Sequence, residues 1–317
     1  MDGAAIVSGM RSLLREYLAL RRGLGYKLYE HGHQLRHFVE FVESTGATYI
    51  TSDLALKWAT ENAEASRSWG TRRLDMVRGF ARYCSSRDRR TQVPPPGLLP
   101  SHRRRQPPFI YRDEDIHRLL NAARKLPSPA GLRPHTFGTL FGLYVATGLR
   151  TSEALHLDRD DVDLTQGVLT IHNTKFGKER YVPVHSSTRR ALQRYASIRD
   201  RLCPHPLSHS FFLSDRGTRL ISRTVERVFL QLCREIGLRT PPGSRRARIH
   251  DLRHRLAIST LTRWHSRRLD VERHLPTLST YLGHVGITET QWYLTATPAL
   301  LRAVLLRVGR SPRAVKS

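Results

Sequence analysis

The chain has 317 residues, 39% of them hydrophobic and 25% charged, which is typical of a folded protein long enough for two ordinary domains. No apolar run approaches the roughly 18 residues of a membrane helix, and the N-terminus lacks the pattern of a signal peptide, so we expect a cytoplasmic protein with no membrane partner. Cys84, Cys203 and Cys233 form no C-x-x-C pair, and the sixteen histidines have no metal-ligand spacing. We therefore expect three buried thiols and no metal site.

Net charge is the most informative property of the composition. The formal net charge is +26 and the pI is near 11.2. Residues 1–100 contribute +5 of this charge and residues 101–317 contribute +21. Such a positive field favours a polyanionic partner. Nucleic acid is favoured over a membrane surface, because no basic amphipathic anchor is evident. Arginine-rich codon usage is an alternative source of the charge, since only six of the 53 basic residues are lysine.

The first part of the chain predicts a small all-α domain over residues 1–90. Apolar residues recur at helical spacing, Gly23 and Gly25 end the first helix, and Thr51 or Ser52 caps the third. The four predicted helices cover residues 8–22, 29–44, 53–60 and 66–85.

A linker is predicted over residues 91–110. The stretch 91–108 is basic and rich in proline, which prevents helix and favours extended backbone. Arg103, Arg104 and Arg105 either follow a phosphate backbone or belong to a solvated spacer with incidental charge.

From residue 111 to residue 317 the pattern predicts a mainly α domain with one small antiparallel β-sheet. Gly148 ends an apolar helix and a new helix begins at Thr151 or Ser152, which places Arg150 at a helix N-terminus where backbone N–H groups also favour an anion. Three short strands between residues 161 and 184 are separated by the turns T-Q-G and F-G-K. The predicted helices cover residues 113–125, 136–147, 186–201, 222–237, 249–263 and 297–308.

Six side chains suited to phosphate chemistry stand out in this second part. A phosphodiester under in-line attack develops charge on its non-bridging oxygens, and arginine forks hold two such oxygens at once. A lysine can protonate the leaving oxygen, with Lys178 as a competitor for that role, and histidines can accept the tyrosine proton or bond the phosphate. Tyrosine needs such neighbours because its free pKa is near ~10. The six are Arg150, Lys175, His250, Arg253, His284 and Tyr293.

Each of these residues has an ordinary alternative when taken alone. A tyrosine in W-Y-L is usually a core aromatic, and H-x-x-R on a helix is usually a surface pair. The information lies in four motifs in order: T-G-L-R-T-S-E-A-L at 147–155, T-K-F-G-K-E-R-Y-V-P-V at 174–184, H-D-L-R-H at 250–254, and L-G-H-V-G-I-T-E-T-Q-W-Y at 282–293. Together they resemble the tyrosine recombinases, or phage integrases, over residues 111–300.

The resemblance implies a role for each residue. Arg150 and Arg253 would clamp the scissile phosphate, Lys175 would be the general acid, and Tyr293 would be the nucleophile. His250 and His284 would complete the set, with Glu153 as structural support. The protein would bind double-stranded DNA at the nucleoid, form a 3′-phosphotyrosyl link and exchange strands within a homo- or hetero-tetramer. The helix at 297–308 would dock on a neighbouring protomer.

Two departures from the family pattern and two rival functions accompany this interpretation. The segment at 264–276 is longer than in compact members, and Arg255 stands where a small hydroxyl residue is common. A type IB topoisomerase would use a similar residue set to relax supercoils, and a decayed recombinase would bind DNA without cutting it. The resemblance implies strand exchange for DNA integration or transposition, without a metal or high-energy cofactor.

Overall fold

A computed structural model describes residues 3–61, 67–99, 108–172, 179–238, 246–284 and 286–295. The chain divides into two compact units, Met1–Arg105 and Gln106–Ser317. Within the described residues, no helix is long and apolar enough to cross a bilayer. The fold class is as predicted: mainly α-helical, with one small antiparallel sheet in the second unit.

The first unit contains four helices around one apolar core. Its helices are α1 (Gly3–Gly23), α2 (Tyr29–Ser44), α3 (Ser52–Thr60) and α4 (Arg67–Ser85). Thr51 caps α3, because its side-chain oxygen accepts from the Leu54 backbone N–H at 3.1 Å. All four predicted helices are confirmed, and α1 begins five residues before its predicted start. The core centres on the buried side chains of Leu35, Phe38, Trp58, Val77 and Phe80.

Part of the predicted linker packs on this first unit. The Arg78 guanidinium donates to the carbonyl oxygens of Pro94 and Pro95 at 2.7 and 2.9 Å. The Gln92 backbone N–H donates to the Ile50 carbonyl oxygen at 2.8 Å. Residues 91–99 contain neither helix nor strand, as their prolines predict. Arg103, Arg104 and Arg105 lie outside the described residues, and the domain boundaries stay a prediction.

The second unit surrounds a larger core with helices and a three-stranded sheet. The sheet has the order β1-β2-β3 and is antiparallel throughout, with Val168 opposite Pro183. Leu169, Ile171 and Val182 are buried and point from one face of the sheet into the core. The strands are β1 (Val162–Asp163), β2 (Val168–Ile171) and β3 (Arg180–Pro183).

The helices of the second unit position the site. They are α5 (Asp113–Ala123), α6 (Arg133–Thr147), α7 (Thr151–Leu155), α8 (Ser186–Leu202), α9 (Ser222–Glu235), α10 (Ile249–Ser266), α11 (Val271–Leu282) and α12 (Ile287–Thr295). The predicted helices up to residue 263 are confirmed with shifted ends, and the one at 297–308 lies outside the described residues, as does the F-G-K turn.

Two of these helices, α11 and α12, were not among the predicted elements. Pro276 lies inside α11 and removes one backbone donor, which argues against helix in the sequence. The Asp270 carboxylate caps α11 by accepting from the Arg273 backbone N–H at 3.1 Å. The longer segment at 264–276 therefore contains the end of α10, a turn and the start of α11.

The three cysteines are free thiols, but only two of them are buried. Cys84 and Cys233 lie in the cores of the two units, where burial raises the pKa of each thiol to about 12. Cys203 is half-buried, which corrects the prediction of three buried thiols, because it follows the last turn of α8 and packs only against the edge of the core.

Candidate active site

The structure brings five of the six predicted site residues together around the C-terminal ends of α6 and α11. Arg150 precedes α7, and His250 and Arg253 lie one turn apart on α10. His284 follows the end of α11, and Tyr293 lies on α12. Lys175, the sixth, and its competitor Lys178 lie outside the described residues.

Arg253 is buried at the centre of the cluster, with 2% of its surface exposed. Its Nη1 donates to the Gly148 carbonyl oxygen at 2.8 Å, and its Nη2 donates to the Leu282 carbonyl oxygen at 2.5 Å. These two bonds use two of the five N–H donors of a guanidinium. They hold the side chain between the ends of two helices that are distant in sequence.

Arg150 is held by a carboxylate and by a helix end. Its Nη1 donates to Glu153 Oε1 at 2.7 Å, and its Nη2 donates to the Gly283 carbonyl oxygen at 2.7 Å. The Arg150 backbone N–H also donates to Glu153 Oε2 at 2.8 Å. The anion at the N-terminus of α7 is therefore the carboxylate of Glu153, which refines the expectation that this end attracts an external anion.

Arg180 on β3 completes this ion-pair network and was not singled out in the sequence. Its guanidinium donates to both oxygens of Glu153, at 3.0 and 2.8 Å. Burial would raise the pKa of Glu153, but the hydrogen bonds and charges of Arg180 and Arg150 outweigh it and lower the pKa to about 2. The carboxylate is thus ionised at neutral pH and links β3 to the start of α7.

The cluster is electrostatically suited to an anion. Burial, and then the nearby charge of Arg150, lower the pKa of Arg253 to about 10, so that it stays charged at neutral pH. Burial, and then the charges of Arg253 and Arg150, lower the pKa of His284 to about 3. Desolvation of the His250 ring by its neighbours, and then the charges of His254 and Arg253, lower the pKa of His250 to about 4. Positive charge accumulates here, and a phosphodiester would relieve it.

Tyr293 belongs to the apolar packing of α10, α11 and α12, yet its hydroxyl has a polar partner. The residue is 2% exposed and packs with Leu261, Leu278 and Leu282. Its hydroxyl oxygen lies 2.8 Å from His254 Nδ1. The Tyr293 ring is therefore a core aromatic, as the alternative interpretation of the sequence held, while its hydroxyl lies beside a histidine with which it can react.

His254 is a second residue of the cluster that sequence reasoning missed. It is the last residue of H-D-L-R-H and lies four residues after His250, on the same face of α10. The two imidazoles meet edge to face with ring centroids 4.7 Å apart. That spacing was the available signal, but nothing in the sequence showed which histidine reaches the tyrosine.

His284 contacts Tyr293 through its ring face. The two rings are stacked with centroids 6.2 Å apart and an interplanar angle of 20°. His284 Nδ1 lies 2.6 Å from the hydroxyl oxygen of buried Thr290. This bond fixes the orientation of the imidazole beside the two arginines.

Arg255, the departure noted in the sequence, points away from this cluster. Its Nε donates to the Tyr111 carbonyl oxygen at 3.2 Å, and its guanidinium forms an ion pair with Asp113 at the start of α5. The larger side chain therefore connects α10 to α5 and leaves the cluster unobstructed.

Comparisons with known proteins agree on one family. The model of the phage integrase family matches residues 110–299. The putative integrase/recombinase y4rB of Sinorhizobium fredii is 45% identical over 96% of this chain and 98% of its own length. The tyrosine recombinase XerC of Halalkalibacterium halodurans is 31% identical over 85% of this chain and 86% of its own.

Solved structures share the fold. The Tn1549 transposon integrase aligns with a TM-score of 0.66 at 16% identity, over 94% of this chain and 99% of that one. The XerH site-specific recombinase aligns with a TM-score of 0.65 at 18% identity, over 88% and 79%. With the family model and the sequence relatives, this likeness places the chain in the phage integrase family: it is a tyrosine-type site-specific DNA recombinase.

Proposed function

We propose that this recombinase cuts and rejoins double-stranded DNA through a covalent 3′-phosphotyrosyl link at Tyr293. The observation that supports this most directly is the position of the Tyr293 hydroxyl, 2.8 Å from a histidine nitrogen and beside a cluster that contains a buried arginine. A hydroxyl, a proton acceptor and guanidinium groups are what in-line attack on a phosphodiester requires.

Arg150 and Arg253 are proposed to hold the non-bridging oxygens of the scissile phosphate. Both guanidiniums are positioned by backbone carbonyls, so their geometry is set before DNA arrives. His250 and His284 are neutral at pH 7, since their pKa values are about 4 and 3, and would donate neutral N–H groups to the phosphate. Such preorganised donors cost no reorganisation during the reaction.

Lys175 is proposed to protonate the leaving 5′-oxygen. This role comes from the family resemblance alone, because residues 173–178 lie outside the described part of the chain. The phosphotyrosyl bond keeps the energy of the phosphodiester, and a 5′-hydroxyl from another strand then reverses the step. No energy-carrying cofactor is needed for such an exchange.

The partners are proposed to be double-stranded DNA and further recombinase protomers. Similar folds include XerH bound to its difH substrate, a lambda integrase dimer bound to a core site and a lambda integrase tetramer bound to a Holliday junction. By analogy, this chain acts on DNA as a tetramer, with residues 297–308 docking on a neighbour. We propose that the enzyme acts at the nucleoid in the cytoplasm, where a chromosomal DNA substrate would lie.

The experiment that tests this proposal is the capture of a covalent adduct. Cells expressing the chain with the DNA that surrounds its gene are lysed in denaturant, and DNA attached to the protein is sequenced to locate the cut. A nicked duplex of that site is then incubated with purified protein in EDTA. We expect a covalent adduct from the wild type and none from Tyr293→Phe, which should still bind the duplex.

Tyr281→Phe is the matched control. Tyr281 packs against the same apolar cluster from α11, and its hydroxyl donates only a long bond of 3.4 Å to the Pro183 carbonyl oxygen. This variant should form the adduct at the wild-type rate. Absence of a wild-type adduct, or a full adduct from Tyr293→Phe, would overturn the proposal. Exchange of strands between two duplexes distinguishes recombination from topoisomerase-like relaxation.

A further inference from the structure

His254 forms a hydrogen bond with the hydroxyl oxygen of Tyr293, the oxygen proposed to react. Its Nδ1 is 2.8 Å from the Tyr293 hydroxyl oxygen, which is an ordinary hydrogen-bond distance. The side chain is 14% exposed, so the bond lies at the edge of the protein interior. The ring also meets Trp292 edge on, with centroids 5.7 Å apart, which limits its rotation.

The surroundings of His254 favour the tautomer that can accept a proton. Its Nε2 lies 3.9 Å from the Asp251 Oδ1 carboxylate oxygen on the same helix. A proton carried on Nε2 therefore faces a negative charge, and Nδ1 is left as an acceptor toward the phenol. Asp251 is fully buried and is held in place by the backbone and guanidinium N–H groups of Arg248, at 3.0 and 3.1 Å.

The other two histidines are placed for different contacts. His284 presents its ring face to Tyr293 and has its Nδ1 bonded to Thr290 at 2.6 Å. The imidazole of His250 meets that of His254 edge to face, with ring centroids 4.7 Å apart. The hydrogen bond described at the Tyr293 hydroxyl joins it to Nδ1 of His254.

We propose that His254 is the general base that takes the Tyr293 phenol proton during DNA cleavage and returns it during rejoining. This rests on the proposed role of Tyr293 as nucleophile. As the Tyr293 oxygen forms its bond to phosphorus, its proton moves to His254 Nδ1. The bond from phosphorus to the 5′-oxygen breaks, and that oxygen takes a proton from the general acid proposed above. In the reverse step, the attacking 5′-hydroxyl gives its proton to the same acid and displaces the Tyr293 oxygen, which recovers its proton from His254.

The charge formed in this transfer has a nearby counter-charge. The imidazolium produced on His254 faces the Asp251 carboxylate, which favours its formation. The nearby guanidiniums of Arg248 and Arg253 and the imidazole of His250 oppose it. The Asp251 carboxylate lies 3.9 Å from His254 Nε2, beyond hydrogen-bond distance, so it favours the imidazolium through its charge.

The test uses His254→Asn with a tyrosine analogue. The amide oxygen of asparagine can accept the phenol hydrogen bond but cannot take up its proton. With a nicked duplex of the mapped site, we expect the cleavage rate to fall by about 10²–10⁴-fold, the usual contribution of a general base. Trifluorotyrosine at position 293 ionises more readily than tyrosine, so it should restore most of the lost rate in His254→Asn.

His250→Asn is the matched control, since it changes the same residue type one turn earlier on α10. Its loss of rate should not be restored by trifluorotyrosine, because its proposed contact is with phosphate. His254→Gln offers a second variant if the asparagine protein does not fold. A wild-type rate in either folded variant, or a loss of rate that trifluorotyrosine does not restore, overturns the role of His254. In both of these outcomes the wild type still forms the Tyr293 adduct, whereas failure of the proposed function would remove that adduct itself.

Discussion

Arg253 contributes both to the packing of the second unit and to the proposed chemistry. It is buried, charged, and bonded to two carbonyl oxygens at helix ends, Gly148 and Leu282. A buried charge is tolerated only when its donors have partners, and here backbone carbonyls at two helix ends serve as partners. The remaining donors of the same guanidinium are thereby held where a phosphate would need them.

Replacing Arg253 by lysine should therefore lower both stability and cleavage. Lysine keeps the charge but loses the planar fork, so one carbonyl is left unsatisfied at a cost of about 1–3 kcal/mol. Loss of one preorganised donor should reduce the cleavage rate by about 10²–10³-fold. Thermal unfolding and the adduct assay measure the two effects.

Arg255→Lys is the control for that substitution. It lies two residues later on α10, but pairs with exposed Asp113 away from the cluster. Exposed ion pairs contribute little, so both stability and rate should stay close to the wild type. Equal losses in the two variants would show that Arg253 has no special part in cleavage.

Two helices present their C-terminal ends to the two site arginines. Gly148 ends α6 with φ of 63°, and Gly283 ends α11 with φ of 68°, a left-handed conformation that disfavours side chains. The Gly148 carbonyl accepts from Arg253, and the Gly283 carbonyl accepts from Arg150. The negative ends of two helices thus hold two guanidiniums side by side.

Gly283→Ala tests this arrangement at the level of the element. The left-handed backbone should cost about 1–2 kcal/mol, and the new Cβ would lie 2.6 Å from Arg180 Nη1. Displacing Arg180 loosens Glu153 and with it Arg150, so we expect slower cleavage as well as a lower melting temperature.

Gly237→Ala is the control that introduces the same backbone strain without displacing Arg180. Gly237 follows α9 with a similar φ of 60°, and a Cβ there meets nothing within 4 Å. This variant should lose comparable stability yet cleave at the wild-type rate. If Gly283→Ala also cleaved at the wild-type rate, the contact between the α11 end and Arg150 would have no catalytic importance.

At the scale of the whole molecule, charge governs the interaction with DNA. The net charge of +26 is concentrated after residue 100, in the part of the chain that contains the site cluster. A protein that neutralises phosphates releases condensed cations, which makes its affinity depend on salt. Contacts to phosphates fix the position of the protein and carry little sequence information.

We expect the affinity for duplex DNA to fall steeply with salt. With roughly 6–10 phosphate contacts, the binding constant should drop by about 10³–10⁵-fold between about 50 and 200 mM salt. Fluorescence anisotropy with a labelled duplex measures the slope of log affinity against log salt. Arg253→Lys keeps the charge and should keep this slope, and a flat response in the wild type would contradict a phosphate-dominated interface.

Sequence by itself determined the helices whose apolar spacing is regular and the three strands bounded by turn residues. It also determined the family, because four motifs in order specify it better than any single residue. Helix α11 escaped prediction since Pro276 and a run of charged residues argue locally against helix. Packing of Leu275, Leu278 and Leu282 against α10 stabilises it, and packing between distant segments has no local signal.

Only the tertiary structure decided which side chains meet. Arg180 lies 27 residues from Glu153, and His254 lies 39 residues from Tyr293, yet each pair is within 3 Å. Sequence patterns report the face of an element on which a residue lies, whereas these contacts depend on how β3 meets α7 and how α12 crosses α10. His250 and His254 are one helical turn apart on α10. The angle at which α10 and α12 pack decides which of them meets Tyr293, and the sequence motif carries no information on that angle.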